Sequence, residues 1–218
     1  MGAMSDPIRY DAVADWYVDF SRGWAPYALL PGDVTGQRVL DLACAWGTAS
    51  RYLAERGARV TGLDLSGQML ARARQLEVEQ PLGITYVQGD ATGTDWWDGT
   101  PFDGVLSNMA LMDIDDLDGA VRTIAVVLRP GGWLSFSIIH PCFPGRPGVQ
   151  PSWPPDGGYG REGWWNTRGD GVRGHVGSNH RMLSTYLNTL LGAGLAVEEV
   201  AERDRSLPTT LLARCRRV

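Results

Sequence analysis

From Gln37 onward the chain alternates short runs of β-branched or apolar residues with longer segments of helical period. That alternation admits little besides a stack of βαβ units on a parallel sheet. Strands are expected over 38–42, 59–63, 84–88, 102–107 and 133–139. A helix is expected over 113–129, where Ile114, Leu117, Val121, Ile124 and Leu128 recur every three to four residues and make one apolar face. Arg129-Pro130-Gly131-Gly132 should then end that helix and turn into the fifth strand. The segment 144–179 is crowded with glycine and proline and holds Trp153, Tyr159, Trp164 and Trp165. It is too long and too aromatic for a connector, and reads as a substrate lid whose rings form a pocket for a flat or hydrophobic acceptor.

A helix bearing Leu183, Tyr186, Leu187, Leu190 and Leu191 follows and should stop at Gly192 and Gly194. Segments 195–201 and 209–216, joined by a turn around Ser206-Leu207-Pro208, should pair as an antiparallel hairpin at one sheet edge. At the other end, 7–22 carries Tyr10, Val13, Trp16, Tyr17 and Phe20, an aromatic amphipathic helix expected to cap the site. With 218 residues, a single domain over 1–218 is expected.

Composition narrows the chemistry. All 20 basic residues are arginine. Without lysine there is no Schiff base to pyridoxal phosphate, no Walker lysine and no tyrosine-lysine dehydrogenase pair. A net charge of −5 gives no general attraction to nucleic acid or an anionic bilayer, so a small-molecule partner is expected. Cys44, Cys142 and Cys215 are odd in number and widely spaced, which fits neither a disulfide framework nor a CxxC metal site. A reducing cytoplasm is expected, with Cys142 a buried thiol and no resident metal. The start MGAMSDPIRY lacks a charged n-region and an apolar h-region, so neither export nor anchoring is expected.

The first strand ends in VLDLACAWG and runs into a helix. In open α/β sheets ligands sit beyond the carboxyl ends of the strands, and small residues there permit close backbone approach. A carboxylate as near as Asp41 would repel a pyrophosphate but suits an amine. Asp64 ends the second strand, where a carboxylate can accept from both ribose hydroxyls. Asp90-Ala91 ends the third, where it can accept from an adenine amine. Three strand-end acids beside a small-residue turn fit a ligand with an amine, a ribose and an adenine but no phosphate, and S-adenosylmethionine answers that description.

Taken in order, VLDLACAWG, VTGLDLSGQML, VQGDAT, FDGVLSNMAL and LRPGG resemble the class I S-adenosylmethionine-dependent methyltransferases, over about residues 7 to 217. The resemblance implies a Rossmann-like, doubly wound α/β sheet of seven strands, mostly parallel, with a reversed last strand. HPCF after strand five and the later LSTYLNTLL resemble a bacterial small-molecule subgroup. Where the family has acid-x-Gly-x-Gly-x-Gly, this chain has Ala43, Ala45 and Gly47, with Trp46 in place of a small residue. A position needing positive φ would tolerate alanine poorly.

The resemblance further implies that Asn108 offers its backbone carbonyl to the methionine amine, and that Tyr10 or Tyr17 contacts the methionine carboxylate. Leu65 and Met69 would pack on the adenine. His140 ends strand five and is expected to face the substrate as general base, with His180 next in line. The expected reaction is methyl transfer to a small organic acceptor, oxygen favoured over nitrogen or sulfur. The rival is a non-catalytic module that keeps the fold and the cofactor, favoured by the altered turn. Enzymes that methylate nucleobase amines resemble one another in an Asn/Asp-Pro-Pro-aromatic run, where this chain has Ser107-Asn108-Met109-Ala110. A nicotinamide oxidoreductase would need the missing phosphate turn and lysine.

Overall fold

In a computed structural model that describes residues 9–167, 169–203 and 206–218, strands β1 (Arg38–Leu42), β2 (Arg59–Asp64), β3 (Thr85–Gln88), β4 (Phe102–Asn108) and β5 (Leu128–Ile139) run parallel. Each lies within a residue or two of its expected place except β5, which starts five residues early. The hairpin β8 (Leu195–Arg203) and β9 (Thr210–Arg217) completes a seven-stranded sheet in the order β3-β2-β1-β4-β5-β9-β8, with β9 antiparallel to both neighbours. The order reverses between β1 and β4, so a crevice opens beyond the carboxyl ends of these two strands.

Near-continuous apolar strands follow from burial on both faces. Along β1, Val39 packs with Leu53 of α2 (Thr48–Ala54) and Leu70 of α3 (Gly67–Glu79). Leu40 and Leu42 pack with Ile124 of α4 (Leu117–Val127) and Leu190 of α6 (Leu183–Gly192) on the other face.

Helix α4 is shorter than its periodicity suggests. Asp116 accepts the Gly119 N–H at 2.8 Å and caps the helix there, so residues 113–116 remain loop despite the in-phase Ile114. The Arg129-Pro130-Gly131-Gly132 stop does not separate helix from strand either. Leu128 already pairs with Phe102, Trp133 pairs with Gly104, and the four residues between bulge out of β5.

The N-terminal cap is a 3-10 turn, Asp11–Val13, followed by α1 (Ala14–Ser21) instead of one helix over 7–22, and Pro7 and Ile8 lie outside the described residues. The expected lid contains structure of its own. Strand β6 (Gly163–Trp165) pairs antiparallel with β7 (Ser178–His180), and a single turn α5 (Val172–His175) lies between them. Cys142 is exposed, not a buried thiol. Among the described residues no helix is long and apolar enough to cross a membrane.

Candidate active site

At the carboxyl ends of β1, β2 and β4 lies a cavity of about 320 Å³. Asp41, Ala43, Ala45, Asp64, Leu65, Met69, Asp90, Ala91 and Asn108 all line it, together with Tyr10 and Tyr17 of the cap. Gly47 does not. It sits at φ +88° as the residue preceding α2, and a Cβ there would fall 2.3 Å from the Tyr86 hydroxyl oxygen.

The turn between β1 and α2 keeps a left-handed backbone without the usual glycines: Ala43 has φ 59° and Ala45 φ 48°. Such a conformation costs an L-residue about 1 kcal/mol or more, and persists only where the surroundings over-determine it. Two bonds supply that constraint. Cys44 N–H donates to the Leu63 carbonyl at 2.9 Å, and Ala45 N–H donates to Asp64 Oδ2 at 2.7 Å. The other Asp64 oxygen accepts from Ser66 N–H at 2.8 Å. Burial raises the Asp64 carboxyl against these hydrogen bonds.

Asp41 is 1% exposed. Its Oδ2 accepts from the Ser50 hydroxyl at 2.6 Å, while Oδ1 is buried with no partner among the described residues. Burial, with the Asp64 charge nearby, pushes the Asp41 carboxyl up to about 7 despite the Ser50 hydrogen bond. Asp90 is exposed, and its Oδ1 turns back to the Thr92 N–H and hydroxyl at 2.8 Å. Asn108 spends its side-chain oxygen on Tyr27 N–H at 2.8 Å and the Ser137 hydroxyl at 3.1 Å. Met69 is fully buried behind Ser66, whose hydroxyl accepts the Met69 N–H and starts α3.

The rest of the cavity wall comes from the cap and from the β4–α4 loop. Tyr10 donates to Asp113 Oδ2 at 2.8 Å, so its hydroxyl proton is already engaged. Arg9 donates to the Asp113 carbonyl at 2.6 Å and to Asp115 Oδ1 at 3.0 Å. Burial pushes the Asp113 carboxyl up to about 6, while the Tyr10 hydrogen bond, Arg173 and Arg9 pull it back. Behind the loop, Arg181 donates to the carbonyls of Leu111, Ile114 and Asp115 at 2.7–3.1 Å. Asn179 N–H reaches the Met112 carbonyl at 2.8 Å. Trp46 donates to the Ser21 hydroxyl at 2.9 Å and ties the cap to the turn.

Residues 40–136 match the family described as "Methyltransferase domain". A malonyl-[acyl-carrier protein] O-methyltransferase of Enterobacter lignolyticus is 43% identical over 102 residues, 47% of this chain and 39% of its own length. A ubiquinone biosynthesis O-methyltransferase of Aeromonas salmonicida is 33% identical over 137 residues, 62% of this chain and 51% of its own. The chain thus spans about two fifths to one half of these curated relatives. A solved S-adenosylmethionine-dependent methyltransferase from Mesorhizobium loti superposes with TM-score 0.70 at 32% identity, covering 95% of this chain and 99% of that one. The chain belongs to the class I S-adenosylmethionine-dependent methyltransferases.

The methyltransferase's residues fit that cofactor. Asp41 Oδ1 is a buried acceptor that lacks a donor among the described residues, and a ligand ammonium would supply one. Asp64 accepts from the backbone N–H groups of Ala45, Ser66 and Leu65, and a carboxylate's four acceptor sites still leave room for a hydroxyl. The two histidines expected in catalysis lie elsewhere. His140 does not line the cavity: its Nδ1 accepts from Cys142 N–H at 3.1 Å and its Nε2 meets Glu202 at 2.8 Å. His180 packs among Trp153 and Tyr159, with Nε2 2.8 Å from the Tyr159 carbonyl. The lid's Trp153, Tyr159, Trp164 and Trp165 are likewise absent from the cavity wall, so they form no acceptor pocket there. The residues that sequence reasoning missed are Arg9, Trp46 and Asp113. Only Trp46 carried a signal, as the bulky residue in a small-residue turn.

Proposed function

We propose that the protein transfers a methyl group from S-adenosylmethionine to an oxygen of a small organic acceptor. The observation that carries the reading is Asp41 Oδ1, a buried and unpartnered acceptor on the wall of the strand-end cavity. The curated relatives named above, both O-methyltransferases, support oxygen over nitrogen or sulfur. When bound, the cofactor supplies an electrophilic methyl on a sulfonium.

The chain's own residues would hold the amine at Asp41 and the Asn108 carbonyl, and the ribose at Asp64. Asp90 would take the adenine amine, with Leu65, Met69 and Ala91 packing on the ring. The cap, tied down through Tyr10, Arg9 and Trp46, would keep water out while two reactants are aligned, which is where most of the acceleration in such a transfer arises. Ala43 and Ala45 reach the left-handed backbone that the turn needs, and this supports a working site over the non-catalytic rival.

Methyl-labelled cofactor incubated with a panel of small alcohols, phenols, carboxylic acids, amines and thiols tests the reading. Label on an oxygen acceptor is the expected result. Binding of S-adenosylhomocysteine with no transfer across the panel would favour the non-catalytic module.

A further inference from the structure

Beyond the acids assigned to the cofactor, Asp113, Asp115 and Asp116 also line the cavity. Asp115 Oδ1 accepts from Arg9 and from Asn179 Nδ2. Asp116 caps α4. Asp113 differs. It lines the cavity, and Oδ2 meets the hydroxyl of Tyr10, another cavity residue. Its loop is unusually fixed: Met109 is strained at φ 56°, and Arg181 and Asn179 hold four of the carbonyls over 111–115. Backbone strain and a rigid support of this kind cluster where a side chain must be held in place for chemistry.

We propose that Asp113 is the general base for a hydroxyl acceptor, with Tyr10 as its positioning residue. The assignment rests on the oxygen-transfer reading above. The acceptor's proton passes to the Asp113 carboxylate as an oxygen lone pair forms the new C–O bond. The methyl–sulfur bond breaks with its electron pair staying on sulfur, so the sulfonium becomes a neutral thioether, and Asp113 later returns the proton to water.

The neighbours suit this role. Arg9 and Tyr10 face Asp113 from the N-terminal segment, Tyr17 from α1, Arg173 from α5 and Tyr186 from α6. The two arginines favour the carboxylate. Tyr10 and Tyr17 are held protonated by burial and by the Asp113 charge, so they act as donors and not as competing bases. With its carboxyl at about 6, Asp113 is ionised at neutral pH yet basic enough to accept a proton.

The test uses the full chain, methyl-labelled cofactor, the best oxygen acceptor of the panel, and a nitro-substituted analogue of that acceptor that is already ionised at pH 8. Asp113→Asn should lower kcat on the parent acceptor by roughly 10²- to 10⁴-fold. S-adenosylhomocysteine affinity by calorimetry should stay near that of the unmodified protein, and the melting temperature at pH 8 should not fall. The unmodified enzyme should lose activity as pH falls through about 6, while the variant's profile is flat. On the ionised analogue the deficit should shrink to within about tenfold, which a merely structural role would not produce. Tyr10→Phe removes a hydrogen bond to the carboxylate and should move the acidic limb to higher pH.

A variant that keeps kcat within about threefold, or that loses as much on the ionised analogue as on the parent, overturns the base assignment and leaves oxygen transfer standing. If cofactor binds but no oxygen acceptor is labelled by the unmodified enzyme, the oxygen reading falls, and the base assignment goes with it.

Discussion

The two walls of the cavity hold their carboxylates by opposite means. On the donor wall, Asp41 and Asp64 are braced by Ser50, Ala45 and Ser66, which lie 9, 19 and 2 residues away in sequence. On the acceptor wall, Asp113 and Asp115 are braced by Tyr10, Arg9 and Asn179, at separations of 103, 106 and 64. The donor wall is a local structure that one strand-turn-helix unit and its neighbour can build. The acceptor wall exists only once the cap, the β4–α4 loop and strand β7 have come together.

Four substitutions probe that division. The largest effect is expected at Asp41. Its carboxyl titrates at 3.8 when unfolded and at about 7 when folded, so the folded state holds the proton more tightly. Its own contribution to stability is therefore fully present below 3.8 and is lost as pH rises through about 7. Asp41→Asn removes that penalty, and denaturant melts at pH 8 should show a gain of about 2 to 4 kcal/mol that vanishes near pH 4. S-adenosylhomocysteine affinity should drop. A variant no more stable at pH 8 would mean that the donor wall is not strained by its own buried acid.

Arg181→Met breaks the acceptor wall from behind. Three loop carbonyls lose their donor, and unfolding should become easier by about 2 to 3 kcal/mol. Because the damage falls on the loop carrying Asp113, kcat should suffer while S-adenosylhomocysteine affinity holds. Equal loss of both would show that the walls are coupled. Asp64→Ala makes the converse cut: cofactor affinity measured by calorimetry should weaken by roughly 1.5 to 3 kcal/mol, the usual cost of losing charge-assisted hydrogen bonds. Unchanged affinity would remove Asp64 from the ribose role.

The smallest effect is expected at Ala45→Gly. Relief of the left-handed strain is partly offset by the added freedom of the unfolded chain, so thermal melts should show a gain under about 1 kcal/mol. A loss of stability would mean that the Ala45 methyl packs usefully in the turn.

The same division decides what could be read from sequence. Strands β1 to β4 and the donor acids follow from local period and from spacing to strand ends, and the structure puts Asp41, Asp64 and Asp90 on one cavity. Where the structure departs from that reading, partners both near and far in sequence are involved. The apolar period through Ile114 predicted helix, but Arg181, at separations of 66 to 70 residues, takes up the loop carbonyls, and Asp116 sets the start of α4. His140 ends its strand as expected, but Glu202 of β8 and the Cys142 N–H claim both ring nitrogens. Aromatic crowding in 144–179 suggested a ligand pocket. Two of those rings, Trp153 and Tyr159, pack on each other and on His180 instead.

The glycine turn has a consequence for mutational drift. Positions 43 and 45 already carry a methyl at positive φ. Gly47 is obstructed as well as strained, because the space beside it belongs to the Tyr86 ring, which also crowds Gly62 of the adjoining strand. In a randomised library of this loop, residues that carry a Cβ, alanine first, should survive at 43 and 45 on an otherwise unchanged background. At 47 they should survive only in clones that have also shortened residue 86, so these two sites would evolve as a pair.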